Sequence, residues 1–478
     1  MGTDAITVTL SNGVLRSVPR HPDCMSGNGR YNPAVPHDAR LLDAPVMPTL
    51  LRLAAPMAAG IVAIMFFNVV DTFWVGRLGP EALAAMGFTF PVTFILKSIT
   101  IGLGVGITAT ISRVLGAGDG GRVRVLTTDS LLLGLLVVGV VSAGGLLGMD
   151  RLFGALGAGP ALLPAIRSYM VPWFAGIGLL VVPMMGNAAI RATGDTRTPA
   201  VIMILAGGIN AILDPFLIFG LGPFPALGLR GAALASVASW AVALTASTHV
   251  LGWRLRMLSP EPPRLGRFLA SWRPVLGIGV PAAATNLLGP LTVGVVTRLV
   301  AEHGPRAVAG FGVATRLQSM ALIGLMAMGA AMTPFVGQNF GARSWDRIRA
   351  AFRAGALFSL AWGAGSLLVL ALPAPALIRL FNADPVVVSS GSLFLRIVPF
   401  SHWAVGIGLL AGSIFNALGR PLAAATLMVF RLLLLAVPLA VFGSRLLGLP
   451  GIFAGLAAAN VLGAAVAWTW LRHTLRHA

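Results

Sequence analysis

The amino-acid sequence predicts an all-α polytopic membrane protein of twelve transmembrane helices, built as two parallel six-helix repeats. Three observations carry that expectation. Of the 478 residues 56% are hydrophobic and only 10% are charged, with a mean hydropathy of +0.87, outside the range of a soluble globular domain. Apolar runs long enough to cross a bilayer recur along the chain with short polar loops between them. The pattern of the first half returns in the second at a constant spacing.

Taken in order, the chain opens with a polar stretch, residues 1–47, rich in Pro, Gly, Asn and Asp. It has no apolar core bounded by a cleavage site and reads as a disordered cytoplasmic tail. Six apolar runs follow at 49–76, 82–110, 125–149, 164–190, 199–220 and 228–252, and six more at 274–300, 306–334, 352–373, 389–416, 421–442 and 449–471. The stretch 254–273, with Pro260, Pro262 and Pro263, is the longest internal connection and divides an N-terminal lobe, 48–253, from a C-terminal lobe, 274–478.

The net charge of +19 comes from 34 basic against 15 acidic residues. Its arginines fall mainly in loops after the even-numbered helices: Arg113, Arg122 and Arg124, then Arg197, then Arg254, Arg256, Arg264, Arg267 and Arg273, then Arg343, Arg347 and Arg349. Confined to short loops, this charge is a topology signal rather than the footprint of a nucleic-acid partner. The positive-inside rule then places both termini in the cytoplasm of a multi-pass plasma-membrane protein.

The halves pair residue by residue. Pro56 matches Pro281, Gly79-Pro80 matches Gly304-Pro305, Gly87 matches Gly312, Gly116-Ala117 matches Gly341-Ala342, and Arg122 matches Arg347. With six helices between equivalent positions, the repeats are parallel and related by an axis along the membrane normal, so a substrate path is expected between them.

Chemistry enters where charge interrupts the spans. Asn210 and Asp214 lie four residues apart on one face of the fifth helix, and Asp71 lies near the end of the first. A carboxylate in the hydrocarbon region costs roughly 3 kcal/mol on insertion scales, so such residues usually face a cavity and serve ion or proton traffic. Pro215 follows Asp214 directly and predicts a kink there. The counterpart of Asp71 is Val296, and the second-half stretch LMVFRLLLLAVPL holds no acid, so one ion-coupling site is expected, in the N-terminal lobe. Lys97, the only lysine, together with Arg316, Arg396 and His402, are candidates to line the substrate cleft. Lys97 could equally pair with Asp71 or Asp214, Arg431 could line the cleft or reach an interface, and His402 could be a core histidine or a proton relay. Pro56 and Gly60 mark a hinge in the first helix, because proline removes a backbone hydrogen bond and glycine adds freedom a turn later.

Several classes are disfavoured. Cys24 is the single cysteine, which excludes an internal disulfide, and no Cys/His cluster has metal-ligand spacing. The Gly-rich stretches at 101–109 and 406–412 lie inside apolar helices, and no phosphate-binding loop, nucleophile elbow or zinc-protease motif occurs. Neither a cofactor nor an enzymatic activity is expected.

Particular segments resemble the multidrug and toxin extrusion (MATE) transporters: VVDTFWVGRLGPEALAA, GNAAIRATGDTRTP, GINAILDPFLIFG followed by GLRGAALAS, and TPFVGQNFGARSWDR. The resemblance covers the chain from Pro48 onward. It implies two six-helix lobes around a V-shaped cleft and secondary efflux of small organic compounds, often cationic or amphipathic, against H+ or Na+, by a chain working as a monomer. Asp71, Asn210 and Asp214 match the coupling acids of the branch resembling the DNA-damage-inducible efflux proteins, which implies proton coupling. Ser236 stands where similar proteins commonly have Thr, and keeps a hydroxyl for the ion site. Flippases of lipid-linked saccharides or peptidoglycan precursors share the overall fold and form the alternative reading, beside Na+-coupled efflux.

Overall fold

The structure is a computed structural model that describes residues 40–261 and 264–476. A single turn, α1 (Arg40–Asp43), leads into α2 (Val46–Gly76), α3 (Pro80–Gly116), α4 (Gly120–Leu147), α5 (Met149–Ala155), α6 (Leu163–Ala192), α7 (Arg197–Phe219) and α8 (Leu229–His249), which ends in a π turn at Val250–Arg254. The second half holds α9 (Leu265–Ala301), α10 (Pro305–Ala321), α11 (Ile323–Gly341), α12 (Trp345–Ala371), α13 (Ala374–Arg379), α14 (Pro385–Ile397) and α15 (His402–Ala417). It closes with α16 (Pro421–Val429), a π segment (Phe430–Ala436), α17 (Val437–Leu447) and α18 (Leu449–Arg476). Among the described residues 11 helical spans are long and apolar enough to cross a membrane, and α10 with α11, bent by 42°, supplies the twelfth.

The repeat is written into the backbone as well as the sequence. Gly79 and Gly304, each just before the proline that starts a helix, take φ of 111° and 96°, a region that only glycine enters without strain. Gly118 and its counterpart Arg343 both turn left-handed, at 81° and 58°. The turn geometry was thus kept in both halves even where the glycine was lost.

The halves close on each other at the end that carries the Arg-rich loops. At Gly116 an added Cβ would meet the backbone of Gln338, 2.7 Å from its Cα. At the equivalent Gly341 it would meet the backbone of Arg113 and Ala117, 2.8 Å from Ala117 N. These contacts are one contact seen twice, since Arg113 and Gln338 are themselves equivalent in the repeat; the pseudo-two-fold axis passes between the two helix ends. Further along, Gly102 packs on the backbone of Gly279 and Ala283, where a Cβ would stand 2.5 Å from both Gly279 O and Ala283 N. Small residues let helices approach this closely in lipid, where packing rather than hydrophobic burial holds them. Buried Gln338 adds a bond across the halves, Nε2 donating to Ala192 O at 2.7 Å.

Two boundaries differ from the sequence expectation. Ordered chain begins well before 47: Leu41 is fully buried, and its carbonyl accepts from Asn339 Nδ2 at 3.0 Å and Arg347 Nη2 at 3.1 Å, while Arg347 also donates to Ala44 O at 2.7 Å. A polar composition hid this because the docking uses backbone carbonyls, which any sequence offers. The rest of the expected tail lies outside the described residues. The expected linker 254–273 is also shorter, since α9 starts at Leu265 and runs through Pro274. Its first turns dock on α4, where fully buried Asp129 accepts from Ser271 Oγ at 2.6 Å and faces Arg267 Nη2 at 3.6 Å. Trp272 Nε1 donates to the Asp129 carbonyl at 2.9 Å.

Candidate functional site

Two close helix contacts build the site. Gly207 of α7 receives the ring of Phe67 from α2, with Phe67 Cγ only 2.7 Å from where a Cβ would stand. This fixes the register: Asp71 lies one turn beyond Phe67, and Asp214 two turns beyond Gly207. On the other side, Gly231 of α8 sits against the Leu217 backbone, 2.5 Å from Leu217 C for an added Cβ, after the chain has reversed through left-handed Gly220. That reversal carries Ser236 back alongside Asn210.

The structure therefore brings together the four residues named from the sequence. Asn210 Nδ2 donates to Asp214 Oδ1 and to Ser236 Oγ, both at 3.3 Å. Asp214 is fully buried and lies within Coulombic range of Asp71. Asp71 Oδ1 and Asp214 Oδ2 are buried without a hydrogen-bond partner. α7 runs through Pro215 to Phe219, so Asp214 stands inside a helix, next to the proline at which the sequence predicts a kink. The helix tolerates the proline because packing on α2 and α8 holds both of its sides.

Of the other candidates, Lys97 on α3 is exposed and lies within Coulombic range of Asp71. Arg316 and Arg396 are exposed as well, Arg316 on the side of α10 opposite buried Ala307, Gly310, Phe311 and Ala314. His402 does not line a cleft. It is fully buried in the C-terminal half, with Nδ1 2.9 Å from Ser366 Oγ and Nε2 3.4 Å from Gln318 Nε2; satisfied at both nitrogens, it is a core histidine. Pro56 and Gly60 lie in an unbroken α2, and Gly60 meets Ala200 of α7 at ordinary contact distance, 3.5 Å for an added Cβ.

Two residues escaped sequence reasoning. Tyr169 of α6, only 6% exposed, is within Coulombic range of both Asp71 and Asp214; as one of 2 tyrosines in the chain it was a rare polar tip inside an apolar span. Asp129 was visible as an acid a few residues into an apolar run, TTDSLLLGLL, and its partners sit in the other half. No group of His, Cys, Asp and Glu that could hold a metal ion occurs among the described residues.

Against protein-family models, residues 56–216 and 281–442 each match the MatE model. The chain belongs to the MATE transporter family. The two matched stretches coincide with the two halves of the repeat, so this MATE transporter is a duplicated module and not an enzyme. It is 40% identical over 422 residues, 88% of the chain and 93% of the relative, to an FAD transporter of Shewanella oneidensis. It is 26% identical, over 75% of the chain and 77% of the relative, to a probable multidrug resistance protein of Thermotoga maritima. Its fold matches a MATE transporter of Vibrio cholerae crystallised in the bent form, with a TM-score of 0.85 and 30% identity over 90% of this chain and 97% of that one.

Proposed function

We propose that this MATE transporter is a proton-driven exporter of small organic compounds, with Asp71, Asn210, Asp214 and Ser236 as its coupling site. The observation that carries the proposal is the pair of orphan oxygens, Asp71 Oδ1 and Asp214 Oδ2, buried on two carboxyl groups within Coulombic range of each other. Charges removed from water cost several kcal/mol each unless paired or hydrogen-bonded. A proton on either oxygen removes one charge and supplies a donor, and it is the smallest ligand that does both. Asn210 turns its amide N–H towards Asp214 and Ser236, an orientation that suits a proton; a sodium ion takes oxygen ligands and would need that amide reversed. The same pattern of acids supports the branch resembling the DNA-damage-inducible efflux proteins.

The positive-inside rule orients the closed, Arg-rich end to the cytoplasm together with both termini. One chain holds both halves and the site, and we take the monomer as the working unit. For substrate, the spans hold Lys97, Arg316, Arg396 and Arg431, a balance that favours anionic organic compounds over the cationic ones common among similar proteins. FAD, the compound carried by the Shewanella oneidensis relative, is the first to test. Transport of FAD into or out of proteoliposomes, with proton and sodium gradients imposed separately, decides: uptake driven by the proton gradient alone supports the reading, and uptake driven only by sodium overturns the coupling assignment.

A further inference from the structure

The duplicated halves differ most in charge at equivalent helices. The fifth helix of the first half carries Asn210 and Asp214; its counterpart, the α16–α17 span, carries Arg431 and no acid. Arg431 stands at the start of the π segment Phe430–Ala436, the kind of local widening that recurs at functional sites. Its stem lies over Gly463 of α18, where an added Cβ would be 2.8 Å from Arg431 Cγ, and its head borders a cavity of about 180 Å³. Thr285 and Asn286 of α9, Ser413 and Asn416 of α15, and Val105 of α3 line the same cavity.

The guanidinium is under-used where it stands. It has five N–H donors, and among the described residues its hydrogen bond is to the sulfur of Met428, Nη2 to Sδ at 3.4 Å; it is in none of the ion pairs. Asn286 Nδ2, facing the same space, is buried and unpartnered. A charge in a transmembrane span costs about 3 kcal/mol on insertion scales and is normally paired or functional. Idle donors from a cation and an amide, with the Ser413 hydroxyl beside them and no carboxylate in the lining, complement an oxyanion. Pockets for whole drug-sized ligands run from about 300 Å³ upward, so this one takes a group and not an entire organic molecule. Val105 comes from the opposite half, which puts the cavity at the boundary between the halves, about 12 Å along α3 from Lys97.

We infer that the Arg431 cavity binds the phosphate or pyrophosphate group of the exported compound, leaving its organic body in the cleft. The inference rests on the export reading above and adds the substrate class, a phosphate-bearing organic anion. Arginine is the side chain suited to this role, because its planar fork matches phosphate oxygens two at a time.

Direct binding tests it apart from transport. Detergent-purified full-length protein is titrated with FAD, FMN and riboflavin, following flavin fluorescence, and with inorganic pyrophosphate by calorimetry. FAD and FMN should bind at least tenfold more tightly than riboflavin, which lacks phosphate, and pyrophosphate should compete. Arg431→Gln should remove that preference, while Arg431→Lys should restore part of it; a thermal midpoint near wild type shows that the variant is folded. An FAD preference untouched by Arg431→Gln overturns the site. So does phospholipid retained by the wild type in native mass spectrometry, lost in Arg431→Gln and not displaced by FAD, since the phosphate recognised is then a lipid headgroup. Normal binding with no transport in proteoliposomes would instead count against the export reading alone.

Discussion

Replacing Gly116 by Ala should open the Arg-rich end of the molecule. The new Cβ would stand 2.7 Å from Gln338 Cα and from Gln338 C, besides meeting the carbonyl oxygen of that residue. Non-bonded carbons rest at about 3.5–4.0 Å, so relief requires the two helix ends to part by about 1 Å, and backbone cannot rotate away as a side chain could. Overpacking of this kind costs typically ~1–3 kcal/mol, a shift of roughly 5- to 150-fold in the balance between closed and open forms. Gly341→Ala meets the mirrored contact with Arg113 and Ala117 and should act alike. Because one separation relieves both clashes, the double variant should cost less than the two singles added. Gly87→Ala and Gly312→Ala are the controls: both glycines are also kept by the repeat, yet nothing lies within 4 Å of a Cβ at either. Spin labels at Arg122→Cys and Asp346→Cys, in a Cys24→Ser background, would report the separation by pulsed resonance. If Gly116→Ala gives the same distance distribution and transport rate as Gly87→Ala, the closed end is not held by this contact.

Asp71→Asn and Asp214→Asn should each abolish proton-driven export while leaving expression and melting temperature near wild type, because Asn keeps the shape and cannot exchange the proton; proton-gradient transport with Asp214→Asn intact would contradict the coupling role. Ser236→Ala removes one acceptor of the Asn210 amide and should cost about 1 kcal/mol at the site, read as a several-fold loss of transport. Asn339→Leu frees the Leu41 carbonyl from one of its two donors and should lower stability by ~1–3 kcal/mol, measured as the thermal midpoint in detergent. Spin labels across α2 and α7 should change separation between acidic and alkaline pH, and labels across α9 and α16 much less; equal responses would reject an asymmetric mechanism.

The fold was legible because three independent signals agreed: apolar composition, span length and the repeat. The candidate site was legible for a related reason, since a charge or amide inside an apolar helix has so few structural explanations that Asp71, Asn210 and Asp214 stand out singly. What could not be read was which polar side chains meet. His402 stood open between cleft, relay and core until Ser366 and Gln318, distant in sequence, were found at its two nitrogens. Asp129 drew no reading from the sequence, because its partners Arg267, Ser271 and Trp272 come from the other side of a proline-rich connection. The docking of Leu41 was invisible because backbone carbonyls leave no mark in composition. Long-range pairing of polar groups is a property of helix packing, and a single sequence records packing only through its small residues, as at Gly116 and Gly341.

The first spanning helix links the two halves mechanically. Leu50, Leu53 and Ala54 of α2 belong to the apolar core of the second half, together with Phe335 and Phe415, and Met57, Ala58 and Ile61 pack against the same core. Val75, at the other end of the helix, belongs to the core of the first half, and Phe67 and Asp71 lie against α7. Pro56 and Gly60 therefore fall where α2 passes from one half to the other. In the proposed mechanism a proton at Asp71 would alter contacts on one side of that handover, while the base of the helix is held by the core of the second half. Such a proton could drive the transporter only by binding the two states unequally, and a bend in α2 would meet this condition: the unbroken helix keeps Asp71 within Coulombic range of Asp214, whereas bending at Pro56 would part the carboxyl groups and change the energy of the proton in each. The same bend would disturb the packing of α2 on α11, next to the Gly116–Gln338 contact that closes the Arg-rich end. Pro56→Ala should restore the missing backbone hydrogen bond and stiffen the helix there. Proton-driven transport should then fall while the affinity for FAD at Arg431 stays unchanged, and a parallel loss of both would show that α2 carries the fold rather than the coupling.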